Sequence, residues 1–190
     1  MEFLVIIISA VLVNNIVLSQ FLGICPFLGV SSRLSTAVGM GMAVIFVMTM
    51  ATIATHLIQN LILVPLGLSF LQTVAFILVI ASLVQLVEIV LKKVSPGLYQ
   101  ALGVFLPLIT TNCAILGVAI LVVGRSYTMA EGVVFSIGSS VGFMLALYIF
   151  AGIREKMDLV DVPRAMKGAP ISLVTAGLLA LAFGGFAGLV

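Results

Sequence analysis

LSTAVGMGMAVIFVMTMATIATHLIQNLILVPLGLSFLQTVAFILVIASLVQLV, residues 34–87, contains no Asp, Glu, Lys or Arg. The hydrocarbon core of a bilayer is about 30 Å thick and takes about 20 apolar residues per crossing helix. This one run is therefore long enough for two crossings. Working outward, the remaining charge-free runs are Phe3–Ser32, Val94–Gly124, Gly132–Ile153 and Gly168–Val190. Together they predict six transmembrane helices: Phe3–Leu22, Thr36–Ile58, Phe70–Leu91, Leu98–Val123, Ala130–Ile153 and Pro170–Val190. The composition agrees, with 63% hydrophobic and 7% charged residues against roughly 25% charged in soluble domains. The expected fold class is all-α integral membrane, a single membrane domain over residues 1–190. The first apolar stretch lacks a basic leader and a small-residue cleavage pattern, so it is read as a retained helix. No segment outside the lipid is long enough for a soluble domain, so a large catalytic domain is expected on another chain.

The charges report topology. Arg33, Lys92, Lys93, Arg154, Lys156, Arg164 and Lys167 fall in the first, third and fifth connections, and only Arg125 falls on the other side. Basic loops stay in the cytoplasm, which predicts a multi-pass protein of the bacterial inner membrane with both termini on the outer, periplasmic side. The net charge of +2 is not a nucleic-acid signal.

The chain also repeats itself. CPFLGV (Cys25–Val30) and CAILGV (Cys113–Val118) share cysteine followed by Leu-Gly-Val, and each copy opens a set of three spans. Three is odd, so the second set enters from the opposite face. This pattern predicts inverted three-helix repeats, about 1–93 and 94–190, related by an axis in the membrane plane. Such an axis makes Cys25 and Cys113 neighbours near mid-membrane.

Both cysteine segments read as broken. Asn14, Asn15, Gln20, Gly23, Pro26 and Gly29 interrupt the first, and Pro107, Thr110, Thr111 and Asn112 interrupt the fourth. Proline removes a helical hydrogen bond, and free backbone groups at membrane depth need a protein or cavity partner. A pair of kinked packing helices explains this pattern; two half-helices meeting at a site explain it too. Cys25 and Cys113 are the only cysteines. A lone cysteine is usually a small buried hydrophobe, and a disulfide between the two is a second option. Thiolates are also the ligands of iron–sulfur clusters, usually four at a time. Two make half a set, which would require a homologous chain to bring the rest.

The stretches FLGICPFLGVS (Phe21–Ser31), STAVGMGMAV (Ser35–Val44), FLPLITTNCAILGVA (Phe105–Ala119) and AGIREKMDLVDVP (Ala151–Pro163) closely resemble the A-subunit family of the Rnf complex. That family is paralogous to the D and E subunits of the sodium-pumping NADH:quinone oxidoreductase. The resemblance spans essentially the whole chain. It implies a membrane subunit of an ion-translocating ferredoxin:NAD+ oxidoreductase, with Cys25 and Cys113 as metal ligands. They would share a [2Fe–2S] cluster with two cysteines of a paralogous E-type subunit of opposite orientation. It further implies flavin- and iron–sulfur-bearing sister subunits and surrounding membrane lipid as partners. Cluster reduction in a low dielectric is costly without a compensating cation, so electron transfer is expected to couple to Na+ or H+ movement. Asn14, Asn15, Thr110, Thr111 and Asn112 are the expected polar lining.

Other residues carry weaker signals. His56 reads as a satisfied interfacial polar group. Glu88 and Lys92 have the spacing of a helical ion pair. Gly39–Ala43, Gly138–Gly142 and Gly184–Gly188 read as helix-packing faces. Glu155, Asp158 and Asp161 read as a solvated or docking face. No phosphate loop, dinucleotide glycine fingerprint or covalent-flavin motif is present. Rival readings are the E-type subunit of the quinone-reducing pump, a small secondary transporter, which inverted repeats and broken helices also fit, and a structural scaffold.

Overall fold

The computed structural model describes residues 2–94, 106–160, 163 and 166–186, and every regular element among them is helical. Helix α1 (Glu2–Ile8) runs into a π turn over Ser9–Val13, and an irregular stretch leads from Asn14 to the short α2 (Ile24–Val30). Helix α3 (Leu34–Ile58) continues through a π turn (Gln59–Leu63) into α4 (Val64–Leu66), which stops at Gly67 in the left-handed conformation. A 3-10 turn (Ser69–Leu71) starts α5 (Gln72–Val94). Then follow α6 (Leu106–Thr110), α7 (Cys113–Gly124), α8 (Met129–Met157) and α9 (Ala169–Gly184). Asp161, Arg164, Gly188, the start of the expected fourth span and the end of the sixth lie outside the described residues.

Four of these stretches are long and apolar enough to cross a bilayer: Leu34–Leu66, Ser69–Val90, Pro107–Gly124 and Met129–Met157. Two shorter ones, Phe3–Val13 and Ala169–Gly184, accompany them. The exterior is apolar as well, with Phe70, Leu78, Ile89 and Leu181 each more than 60% exposed. Side chains of this kind cover a protein whose solvent is lipid.

The centre is the antiparallel pair α3 and α8. A Cβ on Gly41 would strike Met144, and one on Gly132 would approach Thr52 as well as Val122 of α7. Of the most apolar window of α8, 56% is buried, against 17% for α5, so α8 is the mast and α5 an outer stave. Helix α1 runs parallel to α8, with Ile7 and Ala10 on Gly138 and Val11 on Gly142. This is the close approach expected of the Gly138–Gly142 face. By contrast, a Cβ on Gly184 would meet no atom within 4 Å.

The charges segregate to two ends. Ser32, Arg154, Asp158 and Lys167 line one cleft, which joins the first and fifth connections. At the far end His56 meets Tyr127, next to Arg125. Helix α1, parallel to α8, starts on the side of the Arg125 end, and α9 starts at the Lys167 cleft and runs away from it.

A methyl group on Gly142 would stand 3.1 Å from Val11 Cα and from Asn15 Nδ2, and 3.2 Å from Ala10 O. Backbone cannot give way as a side-chain tip can, so Gly142→Ala is expected to lose about 1–3 kcal/mol of stability. Gly184→Ala, in open space, should be neutral or slightly stabilising. Thermal melts of the detergent-purified protein compare the two, and equal melting temperatures would contradict this packing.

Candidate functional site

The two interruptions meet each other. Gly23 is left-handed (φ 81°, ψ 23°) and forms the N-cap of α2. Its N–H donates to Cys113 Sγ at 2.9 Å. A Cβ on Gly23 would lie 2.8 Å from Phe143, 3.1 Å from Ala114 and 3.2 Å from Asn112 Oδ1. Only glycine satisfies both the backbone angle and the space here. Cys25 follows two residues later, in the first turn of α2, and Cys113 is the first residue of α7. From this junction α2 runs toward the Arg154 end and α7 toward the Arg125 end. The two half-helices therefore diverge from one point with their N-termini together.

The breaks include Asn14, Asn15, Gln20, Gly23, Thr111 and Asn112, as the sequence suggests, but not its prolines. Pro26 sits in the first turn of α2, where its missing N–H has no intrahelical partner to lose, and Pro107 occupies a first-turn position in α6. The chain breaks instead at residues 14–23 and at Thr111–Asn112. Asn112 caps α7, its Oδ1 accepting from Ala114 N at 3.0 Å. Its Nδ2 is buried without a hydrogen-bond partner.

The glycines of the repeated hexapeptides have a shared use. Leu22, just before α2, lies over Gly117 of α7, where a Cβ would come within 2.5 Å of Leu22 Cδ1. Leu108, just before the second break, lies over Gly29 of α2, 3.5 Å from a Cβ there. Each broken segment lays a leucine on the glycine four residues after the other segment's cysteine.

Asn15 is fully buried. Its Nδ2 donates to Gly142 O (2.8 Å) and Val11 O (3.1 Å), and its Oδ1 accepts from Val17 N (3.1 Å) and Leu18 N (3.3 Å). Every polar group of this amide is engaged, so Asn15 staples the interrupted backbone to α8. Asn14 Nδ2 donates to Ser9 Oγ at 3.1 Å. Thr111 is exposed and its hydroxyl bonds back to Pro107 O at 3.0 Å, while Thr110 is half-buried beside it.

Cys25 and Cys113 are both free thiols and both exposed, as are their neighbours Phe21 and Thr111. The junction thus opens onto the outside of the chain. No group of three or more His, Cys, Asp or Glu that could hold a metal occurs among the described residues. His56 is accounted for: its Nε2 faces the Tyr127 carbonyl and its Nδ1 faces the Asn60 amide, both at 3.1 Å. A carbonyl only accepts, so Nε2 carries the proton and Nδ1 takes the amide hydrogen.

Residues 3–190 match the family described as Rnf-Nqr subunit, membrane protein. The chain belongs to that family. Among Rnf-Nqr proteins it is 61% identical, over 98% of its length and 97% of the relative's, to a Syntrophotalea carbinolica protein named as the A subunit of an ion-translocating oxidoreductase complex. It is 58% identical, over 100% of its length and 98% of the relative's, to a protein of Acetobacterium woodii. That relative is named as the A subunit of a Na(+)-translocating ferredoxin:NAD(+) oxidoreductase complex. A Vibrio cholerae relative, likewise named as the A subunit of an ion-translocating oxidoreductase complex, is 52% identical over 100% of this chain and 98% of its own. The resemblance read from the four sequence stretches is borne out at full length.

Gly23→Ala and Gly67→Ala test the junction of this Rnf-Nqr protein. Both glycines have positive φ, but Gly67 has nothing within 4 Å of a Cβ. A left-handed alanine costs roughly 1–2 kcal/mol, so Gly67→Ala should show that loss alone. Gly23→Ala adds the Phe143 clash and should melt well below it. Equal losses would mean that the junction is not tightly packed.

Proposed function

We propose that this chain is the A-type membrane subunit of an ion-translocating ferredoxin:NAD+ oxidoreductase of the Rnf kind. In this reading Cys25 and Cys113 supply two of the four ligands of a [2Fe–2S] cluster. A paralogous E-type subunit of opposite orientation brings the other two. The observation that carries the proposal is the hydrogen bond from Gly23 N–H to Cys113 Sγ. It brings the second cysteine against the turn that bears the first, with both thiols free and facing outward. The donor set suits the group, since thiolates are its usual ligands. Two thiols on an exposed junction make half of such a set and leave room for the other half. The A-subunit names of the relatives favour this assignment over the E-type alternative.

The cluster would pass one electron at a time between carriers on the two sides of the membrane. The chain's own part is to hold two sulfurs at one point in the lipid. Gly23 directs a backbone donor at Cys113. Helix α7 presents its N-terminus, the positive end of its dipole, to the same sulfur. Asn15 and Asn112 hold the interrupted backbone so that neither break unravels.

The architecture supports this placement. Two half-helices diverging from one junction fit inverted three-helix repeats over 1–93 and 94–190, with six spans in one membrane domain. The basic end, with Arg33, Arg154, Lys156 and Lys167, belongs in the cytoplasm of a bacterial inner membrane. Both termini then lie in the periplasm. Asn14, Thr110, Thr111 and Asn112 remain the polar groups available to line a path for Na+ or H+ beside the cysteines. Flavin and nicotinamide sites belong to sister subunits.

Iron analysis and electron paramagnetic resonance on the complex test the assignment. Cys25→Ser and Cys113→Ser are each expected to remove one [2Fe–2S] signal and ferredoxin-dependent NAD+ reduction, with the flavins retained. A wild-type signal in both variants would overturn it.

A further inference from the structure

Helix α2 carries Cys25 on seven residues, about 10 Å of helix. A helix this short is not stable alone, so its position is dictated by what holds its ends. The upper end is held at Gly23 by Cys113 Sγ. At the lower end one guanidinium nitrogen of Arg154, on α8, donates to Leu28 O at 2.6 Å and to Ser31 Oγ at 2.9 Å. One turn earlier on α8, Phe150 stacks on Phe27 of α2 with ring centroids 4.3 Å apart and planes 20° apart. Phe150 and Arg154 are four residues apart and so share a face of α8. They form a two-point mount for α2.

We infer that Arg154 is the positioning residue for Cys25, clamping the carbonyl end of α2 and holding a fixed positive charge close to the redox centre. The inference rests on the proposed role of Cys25 as a cluster ligand. Leu28, whose carbonyl is clamped, lies three residues beyond Cys25, which is one turn along the same face. Any slip of that carbonyl moves the cysteine with it. The guanidinium also answers carbonyl oxygens that a helix C-terminus leaves without intrahelical partners. In doing so it sits one to two turns from Cys25, about 5–10 Å along the axis. A positive charge at that range in a low dielectric stabilises the reduced, more negative state of a centre bound to Cys25. Lysine would keep the charge and lose the planar fork.

The test is a redox titration of the intramembrane cluster in the purified complex, followed by electron paramagnetic resonance. Arg154→Met is expected to move the midpoint to a more negative potential and to broaden the signal, because Cys25 is less firmly placed. Arg154→Lys should restore the midpoint in part or in full. Arg154→Gln keeps a donor for the Leu28 carbonyl while losing the charge, and should shift the midpoint the same way with less broadening. If Arg154→Met does not assemble, Arg154→Gln decides. A wild-type midpoint in Arg154→Met, or in Arg154→Gln where the former is absent, would overturn the inference and leave the cluster assignment standing. Persistence of the signal in Cys25→Ser would instead remove the assignment and the inference with it.

Discussion

A backbone interrupted inside a bilayer has to find all its hydrogen-bond partners within the protein, because lipid offers none. Most of what is specific about this chain answers that demand. Residues 14–23 leave the helical ladder, and the Asn15 side chain replaces its lost bonds on both sides while anchoring the segment to Gly142. Asn112 does the same service for the second interruption by capping α7. Arg154 closes the far end of α2. These three side chains make interrupted helices tolerable in a protein with few polar residues to spare.

The second requirement is close approach. Breaks that meet at one point bring backbones nearer than side chains normally allow, so the junction is built on glycine. Gly23 turns the chain against Asn112, Ala114 and Phe143, and Gly142 admits α1 and Asn15. The reciprocal seating of Leu22 on Gly117 and Leu108 on Gly29 explains why the repeated hexapeptides share a glycine as well as a cysteine. Glycine is the residue that sets the distance between the two segments.

Much of this is legible in the amino-acid order. The charge-free runs mark the long helices, since lipid admits few charges and those cluster at helix ends. The grouping of Arg33, Arg154 and Lys167 at one end follows from counting basic residues, and the repeat draws attention to Cys25 and Cys113. What escapes depends on partners that have no letter in the sequence. Arg154 reads as one more topological charge because its ligand is the backbone carbonyl of Leu28. Pro26 and Pro107 read as breakers alongside Asn14, Asn15, Gly23 and Asn112, whereas both prolines occupy first turns that accept them. Nothing near Asn15 in the chain reveals that Gly142 accepts its hydrogen bond.

The anchoring of the amino-terminal segment to α8 has a consequence for biogenesis. Asn15 and Gly142 are separated by 127 positions, Leu28 and Arg154 by 126, and Gly23 and Cys113 by 90. At a synthesis rate of about 5–20 residues per second, the nascent chain waits roughly 6–25 s between exposing Asn15 and making its acceptor. During that interval the Asn15 amide has only its local partners Val11, Val17 and Leu18. The anchoring of this segment to the rest of the fold is thus a late step of assembly, made when α8 arrives.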